Sequence, residues 1–460
     1  MPLVLILTVG GSWEPLVKAI GDSKPDYTIF ICSDNKVGPI KEVGSYIMVD
    51  GPGKPCKTRE GPVNSGGDRE SIVTQTNLGD EYEGYEKMST PDVDNLAQCY
   101  HVCIGAISKA KGRIPGCRIR ADYTGGTKTM SAALAMAAID QGDIELFVVS
   151  GQRKDLIKVS SGTELLRKVN WMPIHWMRQR HILEGLFKAH EYAACIELIN
   201  DLSSQSSDNY DTRKTLEGYL SICRGFQAWE EFRHEEALEF LNPYGRVLSS
   251  ELTFLRGIVS SYRKYEIQVK AALGEGEACA VGVNPNFGLI YDILRNAERR
   301  IQKEQYDDAV GRIYRALELL AQTCLLYRHP PIFTSNVAID KLPDELRAKY
   351  QKIYEEQGKD VKKGLQLPLF KAYELLNDLN HPLGKVFLER EGQMKGLLEI
   401  RNNSIFAHGL KSVEPKKTND FYKFVCELIT CTESALKLPA RYNNQARFPE
   451  KPPLSLELPW

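Results

Sequence analysis

The sequence predicts a parallel α/β domain at the N-terminus followed by an all-α C-terminal region. Three observations carry this reading. Over roughly the first 150 residues, short apolar runs alternate with helical stretches, the pattern of strands joined by crossover helices. From about residue 166 the strand-like alternation gives way to helical periodicity. Between 117 and 137, an alternating strand pattern runs through Thr124-Gly125-Gly126-Thr127-Lys128 into a small-residue helix.

Taken in order, residues 3–8, 28–32, 46–49, 71–76, 118–122 and 144–149 read as strands. Residues 14–20, 92–111 and 128–140 read as helices, the last closed by Gly142 just beyond its end. Residues 50–68, rich in Gly, Pro and Lys, form a long loop, and 151–165 a closing hairpin. Residues 183–202 and 235–241 then show helical periodicity without a repeat. Long amphipathic helices follow at 291–303, 306–327, 342–356, 368–379, 392–406 and 420–436, joined by mostly polar loops as in a bundle. Pro368 suits a first helical position, where its missing N–H costs nothing. The segment 439–460 carries five prolines and reads as a packed extension.

The chain has 460 residues and a net charge of −1, with 26% charged residues. That balance excludes a surface that grips nucleic acid everywhere, so any such contact is a local patch or cleft. No apolar run reaches the roughly 20 residues of a membrane helix. The apolar N-terminus lacks a basic leader and reads as a buried strand, not a signal peptide. Eleven cysteines are scattered without a CxxC pair or zinc spacing. They fit reduced thiols in a cytoplasmic protein, with no metal site expected.

The turn at 122–128 is built for an anion. Two glycines let backbone N–H groups approach without a Cβ in the way. A helix N-terminus adds partial positive charge, Thr124 and Thr127 offer hydroxyls, and Lys128 adds a full charge. Thr127 stands where a Walker A loop requires Gly, so this is not that motif, nor is it a dinucleotide GxGxxG. A plain βα turn with a capping Thr is the alternative. The exit of the first strand, Gly10-Gly11-Ser12, is a second Gly-rich turn. In an open parallel sheet both exits face one cleft if they flank the switch point, with Ser33 and Asp34 completing it.

In the second half, Arg401-Asn402-Asn403-Ser404 leads to His408-Gly409. On a continuous helix, residues seven apart share a face and lie about 10 Å apart along the axis. That is wide for one catalytic pair, unless a two-fold dimer brings two copies together. Alternatively, Asn402, Asn403 and Ser404 break the helix, or His408 and Gly409 merely close a helix C-terminus. If catalytic, a His moves the proton of an RNA 2′-hydroxyl or leaving oxygen and an Arg steadies the phosphate, without metal.

These two motifs, in this order, resemble one family. Asp122-Tyr-Thr-Gly-Gly-Thr-Lys-Thr-Met130 closely resembles the hallmark of CARF domains, the CRISPR-associated Rossmann-like sensors. Arg401, Asn402 and His408 resemble the Arg-(4 to 6 residues)-His motif of HEPN ribonucleases, at the long end of its range, which leaves Asn403 and Ser404 without assigned roles. The stretch 291–319 is similar to the part that packs beside that motif. The resemblance covers about 1–165 and 285–435. It implies an α/β Rossmann-like CARF domain at 1–165, a helical linker at 166–285 and an all-α HEPN domain at 286–460.

It further implies an ancillary endoribonuclease of type III CRISPR antiviral defence. Such proteins are homodimers whose paired CARF domains bind one cyclic oligoadenylate, cyclic tetra- or hexa-adenylate, and need no other cofactor. Binding switches on a composite HEPN site that cuts single-stranded RNA without metal, leaving 2′,3′-cyclic phosphates. Carried onto this chain, Thr124, Gly125, Gly126, Thr127 and Lys128 line the messenger pocket, with Gly10, Gly11 and Ser12 across from them. Arg401, Asn402 and His408 are the nuclease residues, and Arg312 and Arg315 contact substrate. A two-fold dimer suits a two-fold ring, because each half presents the same donors. Two other readings stand beside this one: a non-enzymatic ligand-sensing regulator, and a ring nuclease in which the CARF half degrades its own ligand.

Overall fold

A computed structural model describes residues 1–33, 44–57, 67–151, 165–205, 210–279, 284–356, 364–402, 404, 410, 412–438 and 447–454. Of the sequence expectations, Asp34, Asn403, His408, Gly409 and all but the ends of the 151–165 hairpin lie outside the described residues. The chain divides into two compact units. One comprises Met1–Ile182 with Asn200–Leu216, the other Leu183–Ile199 with Glu217–Leu456.

The first unit holds one six-stranded sheet of order β3-β2-β1-β4-β5-β6. Its strands are β1 (Leu3–Thr8), β2 (Tyr27–Ser33), β3 (Tyr85–Thr90), β4 (Arg118–Asp122), β5 (Glu145–Ser150) and β6 (Leu165–Lys168). The first five run parallel and β6 closes the edge antiparallel to β5. The central strands are near-continuous apolar runs because helices cover both faces. Val4 and Ile6 face one core with Cys103 and Ala106 of α4 (Leu96–Arg113) and Ala133 and Leu134 of α5 (Lys128–Gln141). Leu5 and Leu7, one residue out of phase, face the other core. There they meet Leu16 of α1 (Glu14–Ser23), Val49 of α2 (Ile47–Asp50) and Ile72 of α3 (Ile72–Thr76). This is the expected α/β Rossmann-like architecture.

Three sequence expectations are corrected here. Residues 46–49 and 71–76, expected as strands, contain the short helices α2 and α3. Apolar runs this short carry no usable period. Ser71 tips the second toward helix, its hydroxyl accepting the Thr74 N–H at 3.3 Å as an N-cap. The strand between them and α4 is β3, which escaped notice because it is polar. As an edge strand it bears charges, and Lys87 and Tyr85 both reach Asp50, the latter at 2.8 Å.

Helices make up the rest: α6 (Met172–Lys188), α7 (Tyr192–Gln205), α8 (Tyr210–Glu230), α9 (His234–Leu241) and α10 (Ser249–Ala272). Then come α11 (Gly288–Gln302), α12 (Tyr306–Leu326), α13 (Asp344–Glu356), α14 (Leu369–Asp378), α15 (Pro382–Glu389), α16 (Glu391–Asn402) and α17 (Pro415–Ala435). The expected single helix 183–202 is two, broken at His190 with φ +57°. In the second unit α12 is the central helix, packed against α10, α11, α14, α16 and α17. Its Leu317, Leu320 and Leu325 are fully buried, which stabilises the unit by about 1.5–3 kcal/mol each. The described part of the C-terminal segment packs as expected, with Phe448 against Phe226 and Trp229. No described helix is long and apolar enough to cross a membrane.

Candidate functional sites

The sheet reverses direction between β1 and β4, so the two Gly-rich exits are neighbours at the switch point. They touch. A Cβ on Gly10 would lie 2.6 Å from the Gly126 nitrogen, and one on Gly125 would lie 2.1 Å from the Thr8 carbonyl oxygen. Gly126 has φ +84°, a conformation L side chains rarely adopt. Thr8, at the end of β1, donates its hydroxyl to the Gly125 carbonyl at 2.7 Å, and Ser131 does so at 2.6 Å. The turn is thus pinned from both sides through the Gly125 carbonyl. Gly10→Ala is expected to cost roughly 1–3 kcal/mol of first-unit stability through this overpacking, measured by chemical denaturation.

The threonine hydroxyls are largely spoken for. Thr127 is the N-cap of α5, accepting the Met130 N–H at 3.2 Å and donating to the Val93 carbonyl at 3.0 Å. Thr124 accepts the Val149 N–H at 2.7 Å, and its hydroxyl also bonds the Asp122 carboxylate. Lys128, Gly11 and the first turn of α5 remain for an anion, Lys128 and Gly11 both exposed. Ser12 is half-buried beside them. Ser33 exchanges bonds with Ser45 at 2.7 and 2.9 Å, so its hydroxyl is committed.

Asp122 underlies the turn. It is fully buried, one carboxylate oxygen accepting the Thr124 N–H at 2.8 Å and the other without a partner among the described residues. Burial raises its pKa from 3.8 to about 6, against the lowering effect of the Thr124 bonds. Because the folded state holds this proton more tightly than the unfolded chain, the associated stability is present below about pH 4. It is lost as pH rises through about 6. Asp122→Asn should therefore gain roughly 3 kcal/mol relative to the parent between pH 4 and pH 7, read from denaturation midpoints across that range.

The second candidate site sits in the other unit. α16 ends at Asn402, and Ser404 caps the break, its hydroxyl donating to the Arg401 carbonyl at 2.8 Å. The continuous helix 392–406 is therefore corrected: Asn402 and Ser404 break it, the alternative the composition had left open. Arg401 lies over the Tyr314 ring at 4.7 Å, and its guanidinium donates to the Asn402 side-chain oxygen at 3.3 Å. Five residues beyond the His408 position, the Val413 N–H bonds the Asp307 carboxylate at 3.1 Å. Both ends of the motif segment are thus tied to α12. Tyr314 and Asp307 lie in the stretch 291–319 that the resemblance placed beside the motif, though neither was singled out in the sequence. Among the described residues no cluster of three or more His, Cys, Asp or Glu could hold a metal ion.

Comparison with known proteins adds the following. Residues 279–432 match the Csm6 HEPN domain, and residues 177–262 match the Csm6 6H domain. A solved structure described as Enterococcus italicus Csm6 bound to cyclic hexa-2′-fluoro-hexa-dAMP shares this fold, with a TM-score of 0.59 at 12% identity over 97% of each chain. No curated protein matches the sequence.

Proposed function

The chain belongs to the Csm6 family of CARF–HEPN proteins, and from that premise we propose that it is a cyclic-oligoadenylate-activated endoribonuclease of type III CRISPR defence. The observation that carries the proposal is the joint presence of a Csm6-type HEPN domain bearing Arg401 and Asn402 and a Rossmann-like sheet whose two Gly-rich exits meet at the switch point. The related Csm6 structure holds a cyclic hexanucleotide analogue, which supports a cyclic oligoadenylate as the ligand here.

In this reading, Lys128, Gly10, Gly11, Ser12 and the peptides of Thr124, Gly125, Gly126 and Thr127 receive phosphates of the ring, one set from each protomer of a homodimer. The ligand favours the active dimer over the inactive one by its differential affinity for the two. At the HEPN site, Arg401 stabilises the extra charge on the scissile phosphate and His408 moves the proton to or from oxygen. Asn402, bonded to Arg401, orients that guanidinium. A 2′-hydroxyl attacking its own phosphate needs no metal and leaves a 2′,3′-cyclic phosphate.

The test is to incubate the protein with fluorescent single-stranded RNA and EDTA, with and without cyclic tetra- or hexa-adenylate. Ligand-dependent cleavage in EDTA is expected. Absence of cleavage with either ring, at any protein concentration that forms dimers, overturns the reading.

A further inference from the structure

Beside the candidate nuclease segment, α9, α10, α11 and α12 enclose a cleft of about 370 Å³, within the range of small-ligand sites. Its walls include Phe232, His234, Tyr262, Ile293, Arg312 and Arg315. Tyr262 and Phe232 are 48% and 37% exposed, so both rings are open to a ligand in the cleft. The histidine is held firmly. Its Nε2 meets the Asp292 carboxylate at 2.8 Å, and that carboxylate also accepts the Trp229 indole N–H at 2.8 Å. Asp292 is 1% exposed. A carboxylate accepts only, so Nε2 carries the hydrogen of this bond and the ring is fixed in orientation.

Charge in the cleft is sorted. Arg312 is engaged by Asn296 and by Asp308 at 2.7 Å, and Asp307 by the Val413 N–H. Arg315, half exposed, has a 3.3 Å contact to Glu318, a 3.1 Å bond to Gln322 and an interaction with the Tyr265 hydroxyl. It is the cation best placed to exchange partners. Asp307 lines the cleft and also anchors the far end of the motif segment. Tyr314, beneath Arg401, is the immediate neighbour of Arg315 on α12. The cleft and the candidate nuclease segment thus share α12 as a common wall.

We infer that this cleft seats one unpaired nucleotide of the RNA strand flanking the scissile bond. Its base lies against Tyr262 and its phosphate meets Arg315. Stacked aromatics and one guanidinium form the pattern by which single strands are held without base pairing. The inference rests on the ribonuclease reading above.

The experiment measures binding of a fluorescent 2′-fluoro oligoribonucleotide, which lacks the attacking hydroxyl, to the full-length protein by anisotropy. Cleavage of the matching RNA is followed in parallel. Tyr262→Ala and Arg315→Ala should each raise Kd by roughly 10-fold or more, and KM by a similar factor with kcat within about 3-fold. Tyr262→Phe should bind like the parent, because the ring is retained. Arg315→Ala should also reduce the salt slope of binding by about one phosphate contact. Unchanged Kd in both alanine variants while the parent cleaves RNA overturns the cleft alone. Equal losses in Tyr262→Phe and Tyr262→Ala overturn stacking as its basis. Failure of the parent to bind the oligonucleotide overturns the cleft, whether or not cleavage is seen. A parent that binds through these residues but never cleaves supports the cleft and overturns the ribonuclease reading.

Discussion

Arg401→Ala is expected to lower activator-dependent RNA cleavage by about 10²–10³-fold, the usual effect of removing one donor to developing transition-state charge. The guanidinium also lies over Tyr314, so a stability loss of about 0.5–1 kcal/mol accompanies it. That is too small to explain the rate. Arg401→Lys keeps the charge but loses the planar fork that meets two phosphate oxygens, and should recover only part of the activity. Single-turnover cleavage with saturating activator measures this directly. Cleavage within about 3-fold of the parent would remove Arg401 from the chemistry and leave it as a packing residue on Tyr314.

The largest stability effect is expected at Glu230. This carboxylate in α8 takes Arg299 of α11 at 2.6 Å and Arg300 at 3.0 Å, and its backbone carbonyl accepts the Asn296 amide at 2.9 Å. Glu230 and Arg299 are each under one-tenth exposed, and the Arg299 guanidinium is also stacked 3.9 Å over Phe448. Glu230→Gln leaves a buried guanidinium without its counter-charge, at a cost of roughly 3–5 kcal/mol. For a unit of this size that lowers its melting temperature by on the order of 10 °C. Replacing Glu230 and Arg299 together by Met should recover at least half of the loss, because no stranded charge remains. A Glu230→Gln transition within about 2 °C of the parent by calorimetry would show that water already reaches this seam. The seam joins the segment matched to the 6H domain with the segment matched to the HEPN domain, so its loss is also expected to disturb α11 and the cleft beside it.

Much of this molecule is legible along the chain because its causes are local. Three strands follow from near-continuous apolar runs such as Leu3–Thr8, Arg118–Asp122 from its alternation, and α5 from Thr127 as cap and Gly142 as terminator. The expectation that the 122–128 turn receives an anion rests only on two glycines and a helix start. Where short-range chemistry ran two ways, the sequence left the choice open. Ser71 could begin a helix or sit in a strand, and Asn402–Ser404 could continue α16 or end it.

Other features depend on residues far apart in sequence, and no pattern could have disclosed them. Tyr85–Thr90 is a strand because Thr28–Ser33 offers its open edge, not because its own residues are apolar. Gly10 and Gly126 are needed because two strand exits meet there, 116 positions apart in number but so close in space that a Cβ on Gly10 would lie 2.6 Å from the Gly126 nitrogen. Arg401 meets Tyr314, and His234 meets Asp292, only once α12 and α11 have packed. Helical period places a residue on a face, but the partner opposite is set by how separate helices bury their apolar stripes. That is a property of the whole core.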